Sequence, residues 1–282
     1  MKILSFDIED WWVYDHYSIG NSKDYLPRLD NYLDEILDML ELMNTKATFF
    51  CLGKVAESHP YVIKKIHSRG HHIGCHSYSH QFLIDLDYKE VEADTEKAVH
   101  LLEDIIGEKV FAYRAPAFSI TEKNKWVIEI LAKYGITHDC SIFPASRSFG
   151  GFPSFKTNRP AMLDFNGIKM KEFPMSTAKI MGKEIAYSGG GYFRLLPYRK
   201  IKQIVDSQDY VMTYFHIKDF DKYQKKSFAS LSNESALARY FKDYYGLKNS
   251  YKKFTKMIHD NDFIDLLEAD KLINWDENHI NI

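Results

Sequence analysis

Cysteine is scarce in this chain, and an excess of either charge is missing. Its 282 residues hold three cysteines, Cys51, Cys75 and Cys140, widely spaced and without a Cys-x-x-Cys pair, which indicates neither a disulfide scaffold nor a structural zinc knuckle. Lys and Arg number 37 against 39 Asp and Glu, a net charge of −2, so the basic stripe that a nucleic-acid binder uses to displace phosphate counterions is lacking. No run approaches the roughly 18–20 apolar residues of a membrane span. The N-terminal stretch Met1 to Asp7 meets an acidic patch where a signal peptide would carry its apolar core, and together with the few cysteines this leads us to expect a cytoplasmic protein. Gly-x-Gly-x-x-Gly after the first strand and Gly-x-x-x-x-Gly-Lys-Ser/Thr are both absent, which removes the common nucleotide-binding folds. With 45 % hydrophobic and 27 % charged residues the chain is globular, and the surplus lies in 19 Tyr, 19 Phe and 12 His.

Short apolar runs alternate with helix-period segments. Lys2 to Phe6, Ala47 to Leu52, His72 to Cys75, Lys109 to Tyr113, Ile136 to Cys140, Met170 to Phe173 and Tyr210 to Phe215 read as strands. Between them, Leu33, Ile36, Leu37, Leu40 and Met43 form one helical face, Val55 to Ile66 a second helix before Gly70, and Val91 to Ile106 a third that stops at Gly107. Lys123 to Tyr134 and Pro197 to Asp206 complete the helical set. Such alternation with short links implies parallel strands joined by right-handed crossovers, and a barrel is the favoured closure. Residues 146–191, dense in Gly, Pro and aromatics, read as an insertion forming site walls or a lid. Beyond Asp221 the chain turns basic and helical; Lys222, Lys225, Lys226, Lys252, Lys253 and Lys256 suggest a solvated face. We therefore expect one barrel over residues 1–221 and an extension, 222–282, packed on it.

The reactive residue types cluster just after strand ends, where parallel α/β barrels build their sites. Asp7-Ile8-Glu9-Asp10 puts three carboxylates in four residues, a repulsive arrangement unless a cation or proton is held there. His76 and His80, in His-Ser-Tyr-Ser-His, have the i, i+4 spacing that on a helical turn directs two imidazoles at one divalent metal. No Glu follows His76, so a general base comes from elsewhere, and the acidic group can supply it. Arg114, in Tyr-Arg-Ala-Pro, can hold a carboxylate ionised and oriented. Asp139 and His216 close two further strands.

These groups, in order, resemble the five motifs of the polysaccharide deacetylases, carbohydrate esterase family four, also called the NodB-homology domain: Ser5-Phe6-Asp7, His76-Ser77-Tyr78-Ser79-His80, Arg114-Ala115-Pro116, Asp139-Cys140-Ser141 and Tyr214-Phe215-His216. Glu172-Phe173-Pro174 and Gly189-Gly190-Gly191-Tyr192 are similar to a bacterial subgroup found with exopolysaccharide and surface-glycan loci. The resemblance implies an α/β fold, a distorted (β/α)7 barrel with a C-terminal helical extension, and metal-dependent removal of an N-acetyl group from an amino sugar. It makes Asp7 the general base, His76 and His80 metal ligands, His216 the general acid, Arg114 the residue orienting Asp7, and Asp139 a partner tuning His216. The metal would be Zn2+, with Co2+, Mn2+ or Ni2+ as substitutes. Ile8 stands where the family places a second aspartate, so the third ligand is Glu9 or Asp10: Glu9 if the segment is extended, since i and i+2 side chains share a side, and Asp10 if it bulges. Pro116, Ala117, Phe118 and Tyr192 are expected at the substrate, with Trp11 or Trp12 as further stacking surfaces. The substrate is expected to be an N-acetylated sugar or glycan; the alternatives are a deformylase or deacetylase of a lipid- or nucleotide-linked sugar, a small-molecule amidohydrolase, or an inactive glycan-binding homologue.

Overall fold

The computed structural model describes residues 1–16, 22–146, 150–223 and 244–282. The N-terminal run forms β1 (Lys2–Ile3) and β2 (Ser5–Ile8), followed by α1 (Asp10–His16) and α2 (Ser22–Leu42). Leu33, Ile36, Leu37 and Leu40 of α2 are wholly buried, the stripe expected from their spacing. After β3 (Thr48–Cys51), the single helix anticipated over 55–66 is two, α3 (Gly53–Ser58) and α4 (Pro60–Ser68). Pro60 causes the break: it has no N–H to donate and disfavours helical geometry at His59, which stands at φ −134°, ψ 56°. β4 (His72–Cys75) leads to α5 (Tyr88–Ile106), which opens on a reciprocal Asp87–Glu90 capping box and ends on left-handed Gly107 (φ 74°). β5 (Ala112–Tyr113), α6 (Val127–Lys133) and β6 (His138–Asp139) follow.

The insertion read over 146–191 needs correction. It contains the hairpin β7 (Ala161–Phe165) and β8 (Ile168–Glu172), turned at Asn166 and Gly167, both with positive φ as a tight hairpin requires. β8 is a strand of the barrel itself, paired in parallel with β6. A smaller hairpin, β9 (Ala178–Ile180) and β10 (Lys183–Ile185), then α7 (Gly190–Leu195), α8 (Tyr198–Asp206), β11 (Val211–Met212) and β12 (Phe215–His216) return the chain to β1 and β2.

The order β12-β2-β3-β4-β5-β6-β8 is seven strands, all parallel to their neighbours, as expected of a (β/α)7 architecture. β7 continues this sheet antiparallel, and β13 (His279–Asn281) adds to β7, so the C-terminal extension is part strand and extends the sheet. The barrel closes through contacts of the segments that follow β8 with the run leading through β11 to β12. Ser176 Oγ accepts from Met212 N (2.7 Å), Tyr210 OH donates to Pro174 O (2.9 Å), and Gly189 makes a parallel bridge with Tyr214. The extension also ties into the barrel floor, where Ile264 N and O bond Lys2 O and Leu4 N. Of the lysines read as a solvated face, Lys222, Lys252 and Lys256 are exposed, Lys225 and Lys226 lie outside the described residues, and Lys253 is half-buried.

Gly189 sits where a Cβ would stand 1.9 Å from Tyr214 O, a backbone atom that cannot swing away. Gly189→Ala should therefore open this seam and cost about 2 kcal/mol of stability; thermal denaturation should register a fall of several degrees.

Candidate active site

Parallel register places the reactive groups together. Asp7 on β2 is paired with His216 on β12, and the ends of β4 and β5 lie on the other side of β3. Asp7 is buried, and its Oδ1 accepts from Arg114 Nη1 at 2.8 Å. Arg114 has no exposed surface: Nη2 donates to Ser5 Oγ (2.9 Å) and Thr213 O (3.4 Å), and the guanidinium lies 4.1 Å from the Phe50 ring centre. The backbone of the same residue accepts from His76, whose Nδ1 lies 2.7 Å from Arg114 O. That bond requires the proton on Nδ1 and leaves the Nε2 lone pair bare.

His76 Nε2 and His80 Nε2 lie 3.6 Å and 2.5 Å from Glu9 Oε2, and donor atoms of all three residues fall within 4.8 Å of one another. Two imidazoles and a carboxylate oxygen suit a divalent transition metal, zinc above all, with room for further ligands. Asp10 is outside this group. It opens α1, where Oδ2 accepts from Lys218 N (2.9 Å) and Oδ1 lies 3.1 Å from Lys218 Nζ. Lys218 Nζ also bonds Glu9 Oε1 at 2.9 Å. Burial alone would raise the Glu9 carboxyl, but Lys218, His80 and His216 together hold it well below the usual range.

The imidazole pair does not arise from a helical turn. Residues 76–80 form an irregular loop with Ser77 and His80 at φ 64° and 59°. Asp94, on α5, secures the loop by accepting from Tyr78 N (2.7 Å), Ser79 N (2.9 Å) and Ser79 Oγ (2.6 Å). Nothing in the spacing from His80 marks Asp94 in the sequence.

His216 faces Glu9 Oε1 at 3.5 Å and Asp7 Oδ2 at 4.0 Å through Nε2. Its expected partner is corrected: Nδ1 lies 3.3 Å from Asp219 Oδ2, which also accepts from His216 N at 3.0 Å, and buried Arg194 holds Asp219 Oδ1 at 2.5 Å. Burial and Lys218 oppose the charge on His216, yet Glu9 and Asp219 raise it to about 9; Asp219, despite burial, is lowered to about 2 by Arg194 and His216. The i, i+3 spacing of His216 and Asp219, a capping-box interval, was the available signal. Asp139 instead meets Ser141 and, across the β6–β8 pair, Glu172. Burial raises Asp139 to about 6 and, together with the neighbouring Asp139, pushes Glu172 well above the usual carboxylate range.

Pro116, Ala117 and Phe118 form a tight turn with Ala117 and Phe118 left-handed (φ 53° and 55°). Phe118 is buried, edge-on to Tyr214 at 5.6 Å, while Tyr192 on α7 is exposed. Trp11 is core, its indole N–H on Asp30 (3.0 Å), whereas Trp12 lines an open cleft of about 570 Å³ with Glu9, His80, Phe82 and Leu86.

Residues 18–138 match the family model described as polysaccharide deacetylase, and residues 140–270 match one described as a domain of unknown function, DUF3473. Over residues 18–138 the chain thus carries a polysaccharide deacetylase domain. It is similar to a peptidoglycan-N-acetylglucosamine deacetylase of Bacillus cereus, 37 % identical over 99 residues, which are 35 % of this chain and 36 % of that protein. A peptidoglycan deacetylase of Helicobacter pylori is 29 % identical over 110 residues (39 % and 36 %), and chitin deacetylase 1 of Cryptococcus neoformans 29 % over 102 residues (36 % and 21 %). The chain thus spans about a third or less of the length of these relatives. Among solved structures, a Mycobacterium smegmatis protein assigned to the polysaccharide deacetylases superposes with a TM-score of 0.59 at 16 % identity, over 92 % of this chain and 89 % of that one. A pseudoenzyme of the same esterase family from Bacillus anthracis gives 0.51 at 14 %, over 100 % and 69 %. These likenesses concern the fold.

Asp94→Ala removes no metal-binding atom but releases the loop that aims both imidazoles. Zinc affinity, measured by competition with a chromogenic chelator, should fall by about 10–100-fold.

Proposed function

We propose that this chain is a metal-dependent hydrolase that removes the acetyl group from an N-acetylated amino sugar of a glycan or glycan precursor. The observation that carries the reading is the buried Arg114–Asp7 pair standing beside Glu9, His76 and His80 at the mouth of a cleft with an aromatic wall. The named activities of the relatives support it. Glu9, His76 and His80 would hold the metal. Zinc fits the donor set best, with Co2+, Mn2+ or Ni2+ as substitutes, and when bound it would polarise the amide carbonyl and acidify water.

The protein's own groups account for the proton traffic. Asp7 keeps one oxygen on Arg114 and uses the other, Oδ2, to take a proton from the attacking water. His216, charged through Asp219 and facing the same space, gives its Nε2 proton to the departing nitrogen as the C–N bond breaks. Water and amide become acetate and a free amine. Trp12, Phe82 and Leu86 give the cleft the apolar face that a sugar ring stacks on, and an uncharged amide suits a chain of balanced charge. The three cysteines, all free and buried, accord with the cytoplasmic setting that belongs to the same reading. The inactive glycan-binding alternative rests on the altered first motif. The approach of Glu9 to both histidines favours the active reading, because it supplies the carboxylate that Ile8 does not.

Acetate release from N-acetylglucosamine oligomers by the zinc-loaded chain, scored beside metal content, tests this. Asp7→Asn and His216→Ala should each lose at least about a hundredfold in turnover while keeping the metal, and His76→Ala should lose the metal itself. Full activity in any of the three would overturn the assignment.

A further inference from the structure

Lys253 lies on the helix Leu247–His259, far along the chain from every family motif, and its ammonium is not spent on solvent. Nζ donates to Phe193 O (2.9 Å), Arg194 O (2.9 Å) and Leu196 O (2.7 Å), carbonyls at the C-terminal end of α7. Terminal carbonyls of a helix lack intrahelical donors and carry the negative end of its dipole, so a cation here fixes the last turn of α7. That turn carries Arg194, whose guanidinium holds Asp219, and Asp219 holds His216 by both its ring and its backbone N–H.

Two neighbours of Lys253 press on the same structure. Phe254 is fully buried with its ring 5.0 Å from Phe215, 4.8 Å from Phe220 and 5.8 Å from Phe6, directly behind the strand positions that precede His216 and Asp7. Gly246, which begins the helix at φ 80°, approaches α7 so closely that a Cβ would lie 2.5 Å from Arg194 O. Arg194, His216, Asp219, Gly246, Lys253 and Phe254 all fall within residues 140–270, the region matched by the domain of unknown function and beyond the match to the deacetylase model.

We propose that Lys253 is a positioning residue for His216, acting through the end of α7, Arg194 and Asp219, and that this C-terminal helix serves the deacetylase reaction as the mount of the proton donor. The inference rests on the deacetylase reading and adds a role to a residue outside the reacting groups. When the ammonium is removed, three carbonyls lose a donor, the Arg194 fork shifts, and Asp219 no longer fixes the imidazole. The step that suffers is proton delivery to the leaving nitrogen. An aryl ester such as 4-nitrophenyl acetate releases a stable phenolate that needs no proton, so its hydrolysis by the same site is spared.

The test compares the zinc-loaded full chain with Lys253→Met, Lys253→Gln and Lys253→Arg on N-acetylglucosamine oligomers and on 4-nitrophenyl acetate. Lys253→Met should lower kcat on the amide at least tenfold, with KM, zinc content and ester hydrolysis within twofold of wild type. Lys253→Gln, which retains a polar donor if the Met variant fails to fold, should show the same split with a smaller loss, and Lys253→Arg should restore most of the amide rate. Independently of activity, the slowly exchanging proton NMR signal of the His216–Asp219 bond, identified by its absence in Asp219→Asn, should persist in Lys253→Arg and vanish or move in Lys253→Met. Equal loss on amide and ester, or unchanged amide kcat together with an unchanged NMR signal, would overturn the role of Lys253 alone. A wild-type chain that binds zinc and releases no acetate would overturn the deacetylase reading and this inference with it.

Discussion

Arg114 carries its charge at zero exposure in the barrel interior, where an unpaired guanidinium would be untenable. It is stabilised by Asp7, Ser5, the carbonyl of Thr213 and the face of Phe50, and each of these contacts places something else. The bond to Asp7 orients one carboxylate oxygen and leaves the other facing His216. Ser5 and Thr213 lie on the neighbouring β1–β2 and β11–β12 runs, which they tie together by hydrogen bonds. Through its backbone, Arg114 accepts from His76 Nδ1 and donates to Cys75 O, so it also sets which nitrogen of that imidazole faces Glu9. Truncating either side chain of the Arg114–Asp7 pair leaves an uncompensated buried charge, a cost of about 3–5 kcal/mol, while the backbone carbonyl that orients His76 stays in place.

The three carboxylates of Asp7, Glu9 and Asp10 are tolerable because their cations are divided among them. Asp7 has Arg114, Asp10 has Lys218, and Glu9 turns one oxygen to Lys218 and the other to the two histidines. A carboxylate anchored on one oxygen and open on the other is oriented before any metal arrives, which lowers the entropic cost of binding one. The same division commits Asp7 Oδ1 to Arg114 and separates it from the Glu9–His76–His80 group, and the proposed role of Asp7 as a base depends on that separation.

Much of this was legible in the sequence because it depends on single elements. The strands, the stripe of α2, the stop of α5 at Gly107 and the presence of reactive residues after strand ends all follow from local periodicity and turn chemistry. What was not legible depends on pairing between elements. His76 and His80 converge through two left-handed residues in a loop held by Asp94 from α5, a geometry that an i, i+4 interval misreads as a helical turn. Motif order pairs Asp139 with His216, but the β6–β8 register sets Asp139 opposite Glu172, leaving His216 to the nearer Asp219. The strand at Met170 to Phe173 is legible within residues 146–191, but its place as the seventh parallel strand depends on pairing with β6, which the glycine- and proline-rich surroundings do not reveal. Lys253 read as one of several solvated lysines, and only the approach of its helix to α7 reveals three carbonyls waiting for it.

In the proposed site Glu9, in place of the aspartate that Ile8 displaces, joins His76 and His80 to hold the metal while Arg114 reserves Asp7 for proton transfer. Anomalous diffraction at the zinc edge, on crystals of the zinc-loaded chain, tests it most directly. One strong peak bonded to Glu9, His76 and His80 is expected, with Asp7 still on Arg114 and Asp10 still on Lys218. A peak bonded to Asp10 or Asp7 in place of Glu9, or no peak among these residues, would contradict it.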